Sequence, residues 1–257
     1  MSAALPAALS IALLGLLVHG ALTIDGPSLP AEGLASLVLG TLLVVSLATL
    51  VAIPGGLLAA IYLAEFARPG RRRWLKPALE LLAGVPTIVY GLVAVMVVGP
   101  LLHRVLPGVQ VASGITAALV LSLMILPTLS SLGDDALRAV PRELREASMA
   151  LGASRLRMMR VVVLPAAMPG IMAAVMLAVS RALGETMIMT LAAGELPRAG
   201  LDPRAAIETL TSYMGRAALA GPLDDAGLYA AGLALLVLSL VAHAVAHRLV
   251  RRRGRWS

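Results

Sequence analysis

The chain has 257 residues, 59% of them hydrophobic and only 14% charged, with a mean hydropathy of +0.92. A water-soluble domain carries about 25% charged residues, so a globular enzyme surrounded by water is excluded as the main architecture. The absence of cysteine removes disulfides, thiolate zinc sites and cysteine nucleophiles. With 3% aromatic residues there is no base-stacking platform, and the net charge of +7 does not signal nucleic acid.

A helix needs about 20 mainly apolar residues to cross a bilayer. Six stretches meet that demand: Leu5–Leu22, Leu37–Leu63, Leu81–Leu102, Ile115–Leu132, Ala166–Ala193 and Leu228–Leu249. The expected fold class is therefore all-α, a polytopic membrane protein of six transmembrane helices forming one domain over 1–257. Met1–Ser10 holds no basic residue and no clear cleavage site follows, so the first stretch reads as a retained helix. In the third, Pro86 removes a helix hydrogen bond and bends the span.

The connections sort by charge. Arg68, Arg71, Arg72, Arg73 and Lys76 fill one, six arginines fill Asp134–Arg160, and Arg248, Arg251, Arg252, Arg253 and Arg255 fill the tail. These alternate connections are assigned to the cytoplasm by the positive-inside rule, which places both termini there with anionic lipid as a neighbour. The opposite connections carry Asp25, Glu32, Glu195, Asp202, Glu208, Asp224 and Asp225. The outer stretch 194–225 has turn formers around a short helix, Arg204–Arg216, and reads as a lid, a receptor contact or a plain connecting loop.

Two stretches carry chemistry. The fifth span reads AVSRALGETMIMTLAAG, with Arg181 and Glu185 one turn apart on one helix face. Each ionised residue near mid-membrane costs about 2.5–3.5 kcal/mol, which points to a polar cavity, a partner, or an ion pair that satisfies itself. Thr186 and Thr190 extend the polar stripe, and Met187 and Met189 read as packing or lipid-facing residues. Between the fourth and fifth spans lies PRELREASMALGASRLRMMRVVVLP. Pro141 suits a first helical position, and Leu144, Ala147 and Leu151 then share one face. Gly152 ends that helix and Ser154 caps a second one bearing Arg155, Arg157 and Arg160. Such a segment docks onto a protein partner or lies on lipid headgroups.

Other constellations fail on their residues. The phosphate-cradling loop G-x4-G-K-[ST] is missing, since the only lysine, Lys76, stands between Leu75 and Pro77. His243 and His247 have metal-ligand spacing, but Ala244 occupies the place of the zinc-protease glutamate, so no metal site is expected. His19 and His103 show no partner in sequence. No catalytic residue is assigned.

Glu146-Ala147-Ser148, then Gly152, then Leu164-Pro165 resembles the EAA signature of importer-type ABC permeases, with Ser148 in place of the third motif residue. LLAGVPTIVYG, AVPRELREASMALGAS and SRALGETM resemble the permeases of phosphate-specific, Pst-type ABC importers, particularly the C-type subunit, from about Gly40 to the basic tail. The resemblance implies a type I ABC importer permease (MetI-like) fold in a bacterial inner membrane. It implies a cytoplasmic coupling loop, 134–165, docking on a separate ATPase dimer through Leu144, Glu146, Ala147, Ser148, Leu151, Gly152, Leu164 and Pro165. ATP and Mg would be bound by that dimer, with no cofactor in this chain. It also implies an A-type sister subunit, an extracytoplasmic phosphate-binding protein, and a translocation path touching Pro86, Thr87, Arg181, Glu185, Thr186 and Thr190. Importers of molybdate, tungstate and phosphonate share the loop. An ion-gradient-driven transporter or channel and a relay to a sensor kinase stay open at this point.

Overall fold

The computed structural model describes residues 31–194, 202–220 and 226–253. The expected first span, Leu5–Leu22, lies outside the described residues, as do Glu195, Asp224 and Asp225. All regular structure among the described residues is helical. Five helices there are long and apolar enough to cross a membrane: Gly33–Phe66, Thr87–Val105, Gly114–Arg138, Arg155–Leu183 and Ala226–Ala244. Large apolar side chains such as Leu50, Leu58, Met96 and Val97 are exposed on them. In water that surface would be penalised by about 25 cal/mol per Å²; against lipid tails it is at home.

In chain order, α1 (Ala31–Ile61) runs into a π-helical turn, Tyr62–Phe66, closed by the amide of Ala67 on the Tyr62 carbonyl at 2.7 Å. A separate helix α2 (Pro69–Ala83) follows, started by Pro69 and ended at Gly84. The span beyond it is α3 (Thr87–Val93), a π-helical turn (Ala94–Val98) and α4 (Gly99–Val105). This corrects the third expected span. Gly84-Val85-Pro86 breaks the chain, so Leu81–Ala83 belong to α2 and Pro86 caps α3 in extended geometry (ψ 135°). Proline disfavours helical geometry in the residue before it, and here the helix stops outright.

Helix α5 (Gly114–Arg138) is capped by Ser113, whose Oγ accepts from the Thr116 amide at 3.3 Å. It is the most enclosed span, with 61% of its apolar stretch buried against 17% for Thr87–Val105. After α6 (Arg142–Ala150) and α7 (Arg155–Met158), a π-helical turn (Met159–Val163) joins α8 (Leu164–Leu183). The fifth expected span is thereby corrected at both ends: the helix starts at Arg155 and stops at Leu183. Pro165 interrupts nothing, because the widened turn has already shifted the ladder, with the Leu164 amide on the Met159 carbonyl. The short α9 (Met187–Ala192), α10 (Leu210–Ala220) and α11 (Ala226–Arg253) complete the chain.

The described residues form two compact units. One comprises the residues up to Ala48 with Pro86–Leu121 and Leu183–Ala242. Within it α3 and α9 pack closely at Gly91, where a Cβ would lie 2.7 Å from Leu191 and 3.2 Å from the Met187 carbonyl. The described part of the stretch 194–225 is packed rather than loose. Ala206, Ile207, Glu208 and Thr209 are buried, and backbone bonds tie this segment inward: Ile115 N to Pro203 O at 2.8 Å, Ile207 N to Ala193 O at 2.8 Å. The Thr41 hydroxyl accepts from the Leu210 amide at 2.9 Å. Helix begins only at Leu210, six residues later than Arg204, because the preceding amides are spent on these contacts.

The other unit comprises Thr49–Val85, Ser122–Ala182 and the residues from His243. Its core is Ala60, Leu137, Val140, Met158, Met159, Val163, Ala167 and Ile171. Residues on either side of α6 thus pack on the end of the first described span, while α6 itself buries no residue.

Candidate functional site

Helix α6 presents its apolar row outward. Leu144 is exposed and Leu151 is 90% exposed, and both line an open groove of about 450 Å³ with Ala147, Ser148, Gly152, Arg157 and Val161. The inward side of the helix is held by charge. Arg145 forms an ion pair with Glu65, with side chains 15% and 13% exposed, and donates to the Leu137 carbonyl at 2.6 Å. Burial pushes the Arg145 guanidinium below its ordinary value. Pro141 sits one place earlier than expected, as the cap before Arg142. Gly152 turns the chain with φ +82°, in open space; a side chain in that left-handed geometry is strained. Ser154 caps α7 by accepting from the Arg157 amide at 3.3 Å. Glu146 is exposed on α6, whereas Leu164 and Pro165 lie inside the continuous helix rather than closing a loop.

A charge cluster sits beside this face that composition alone did not reveal. The Asp134 side chain is fully buried and accepts from Arg72 at 2.8 and 2.7 Å, Lys76 at 3.2 Å and Arg138 at 3.2 Å. Arg72 also donates to the Leu63 carbonyl at 2.7 Å. Lys76 reaches Asp135 at 2.7 Å, and that hydrogen bond is the largest influence holding its ammonium above the usual lysine value. The D-D spacing at 134–135 and the basic run at 71–76 were visible in sequence, but their pairing across the fold was not.

The membrane charges separate. Arg181 ends α8, whereas Glu185 lies in the break after Leu183, so the two are not on one helix face. The break follows from Gly184 and from the local partner Glu185 finds: its Oε1 accepts from the amides of Met187 and Ile188 at 3.0 and 3.3 Å. A carboxylate there satisfies free amides at a helix start, and Glu185 is only 7% exposed. Arg181 meets the Thr128 hydroxyl at 3.4 Å and the Ala83 carbonyl, at the freed end of α2, at 3.5 Å. Among the described residues no ion pair holds Arg181, so the self-satisfied pair does not form.

The threonines do not extend a stripe from Arg181. Thr190 Oγ1 donates to the Thr186 carbonyl at 2.8 Å, and both threonines pack against Gly215 of α10, where a Cβ would lie 2.7 Å from Thr190 Oγ1. Met189 is buried and Met187 exposed. His243 rests on Ser180 at 3.1 Å, and His103 finds the Val109 carbonyl at 2.6 Å.

A multi-pass helical membrane protein with an exposed apolar row on a short helix between its spans defines a class, and the comparisons place the chain within it. Residues 52–255 match the family described as binding-protein-dependent transport system inner membrane component, and the chain belongs to that family. A probable ABC transporter permease protein YqgH of Bacillus subtilis is 35% identical over 87% of this chain and 74% of its own. A phosphate transport system permease protein PstC of Mesorhizobium japonicum is 32% identical over 83% of this chain and 72% of its own. The permease fold is shared with the MetNI methionine ABC transporter in an inward-facing form, at TM-score 0.69 and 20% identity, covering 88% of this chain and 99% of that one. An alginate-importing bacterial ABC transporter follows at TM-score 0.67 and 18% identity, covering 94% and 88%. The expected MetI-like permease architecture therefore holds, with five of the six expected spans among the described residues.

Proposed function

We propose that this chain is the permease subunit of an ABC importer that passes inorganic phosphate across the inner membrane, moved by a separate ATPase dimer. The observation that carries the reading is the outward apolar row of α6, seated by Arg145 and Glu65 yet left uncovered along Leu144, Ala147 and Leu151. An ATPase cleft would receive it, with Glu146, Ser148 and Gly152 at its edge. ATP and Mg belong to that partner. The arginine distribution supports cytoplasmic placement of this face and of both termini. An A-type sister permease and an extracytoplasmic phosphate-binding protein complete the assembly.

Arg181 supplies the anion's counter-charge in this reading. Among the described residues its guanidinium is engaged by one hydroxyl and one carbonyl, so donors remain for an oxyanion stripped of part of its water. Pro86 and Thr87, at the break after α2, let that segment and the following span move separately. Glu185 acts on the path indirectly by anchoring the start of α9, and Thr186 and Thr190 act by packing against α10.

Phosphate uptake by cells carrying Arg181→Ala, at unchanged protein level, tests the assignment. Uptake falls to background if Arg181 receives the anion, and full uptake rejects that role. Molybdate or phosphonate competing better than phosphate would reassign the cargo. Transport in liposomes by the purified chain without any ATPase would remove the coupling reading altogether.

A further inference from the structure

The chain has seven aromatic residues, two Trp, four Tyr and one Phe. Three of them, Tyr62, Phe66 and Trp74, fall within thirteen residues of one another where the first described span ends and α2 begins. All three are exposed, Trp74 by 79%. Tryptophan and tyrosine gather where hydrocarbon gives way to headgroups, because one end of each is apolar and the other carries an N–H or O–H that tolerates water. Between two spans of one chain, α2 starts at such a boundary.

The basic residues of α2 divide into two sets. Arg72 and Lys76 turn inward to Asp134 and Asp135. Arg68, Arg71 and Arg73 are exposed and form no ion pair among the described residues; Arg71 makes one bond, to the Tyr62 hydroxyl at 3.3 Å. Exposed Trp74, Leu75, Leu81 and Leu82 continue the outward side. Arg68 at the cap of α2, Arg71 and Trp74 recur every three positions along one exposed side, and Leu75 and Leu82 lie on that same side. Neighbouring cations beside aromatic and apolar side chains match a phosphodiester headgroup with its acyl chains lying past Trp74 and the leucines.

We infer that α2 is a binding site for an anionic phospholipid, with Arg68 and Arg71 holding the headgroup phosphate and Trp74 lying at the top of its acyl chains. A soluble protein partner accounts for the arginines but not for leucines and aromatic rings at the end of a membrane span. The site lies outside the docking row of α6 and does not depend on which anion the protein carries.

The full chain with Trp256→Phe leaves Trp74 as the sole tryptophan and serves as its own probe. It is reconstituted into phosphatidylcholine nanodiscs containing a minor fraction of lipid with a quencher near the headgroup, either phosphatidylglycerol or phosphatidylcholine. Labelled phosphatidylglycerol quenches Trp74 preferentially, and Arg68→Gln with Arg71→Gln lowers that preference roughly 25-fold, about fivefold for each charge. The double variant keeps Arg72, Lys76 and Asp134, so an unchanged melting temperature shows that it is folded. Equal quenching by the two lipids overturns the site. So does displacement of the labelled lipid by millimolar inorganic phosphate, which would make it a free-anion site. Loss of ATPase capture by the double variant with lipid preference intact would assign the surface to the protein partner instead.

Discussion

Arg72 grips Asp134 with both ends of its guanidinium, at 2.8 and 2.7 Å, across 62 positions of sequence. The fork is bidentate and its carboxylate fully buried, and Lys76 and Arg138 share the same two oxygens. Removing the acid would leave several cations crowded together, and breaking a buried pair from one side costs about 3–5 kcal/mol. Asp134→Ala therefore lowers the melting temperature in detergent far more than Asp135→Ala, whose carboxylate is mostly exposed. Thermal unfolding of the two variants side by side checks this.

Glu65 and Arg145 set the angle of α6. Glu65→Ala and Arg145→Ala each weaken coupling between nucleotide hydrolysis and uptake, while the purified subunit still folds. A charge-assisted bond contributes about 1.5–3 kcal/mol. The exchange Glu65→Arg with Arg145→Glu restores part of the coupling, measured as phosphate imported per ATP hydrolysed.

At Gly152 the backbone is left-handed and the surroundings are empty, so the cost of a side chain is conformational rather than steric in the isolated subunit. Gly152→Ala loses about 1–2 kcal/mol, and Gly152→Asn less. Gly152→Trp fills the groove beside Leu151 and abolishes ATPase binding, read by co-purification.

Glu185 caps α9 by accepting two amide hydrogens. Glu185→Gln keeps an accepting oxygen and retains most of the stability; Glu185→Ala loses about 0.5–2 kcal/mol, the range for a lost cap. Were Glu185 needed for its charge, the glutamine variant would fail in uptake while melting normally.

Gly40 allows the segment Ala206–Ser212 to pass: a Cβ there would stand 2.3 Å from the Glu208 carbonyl. Backbone cannot yield as a flexible side chain does, so Gly40→Ala costs about 1–3 kcal/mol, visible as a lower melting temperature.

The spans and the α6 face were legible because both rest on local periodicity: Leu144, Ala147 and Leu151 recur on one face, and Gly152 and Ser154 mark its end and the next beginning. What stayed hidden was that the helices stop at Gly84–Pro86 and Gly184–Thr186. Pro86 marked a bend in Leu81–Leu102 but not a break, and Arg181 and Glu185 at helical spacing suggested one continuous face, whereas Glu185 instead accepts the amides of Met187 and Ile188. The burial of Ala206–Ser212 was equally hidden. It depends on Thr41, Gly40 and Gln110, far away in sequence, accepting or making room for that segment.

The π-helical turn Met159–Val163 fits one residue more into a turn than an α-helix would, with the Leu164 amide reaching the Met159 carbonyl. The wide turn absorbs that residue, so deleting it would restore ordinary α winding and leave α6 facing as it does. A residue added upstream of it and wound as ordinary α would instead swing everything before it by roughly 100° about the helix axis. The apolar row of α6 would then point away from its present direction with every one of its own residues intact.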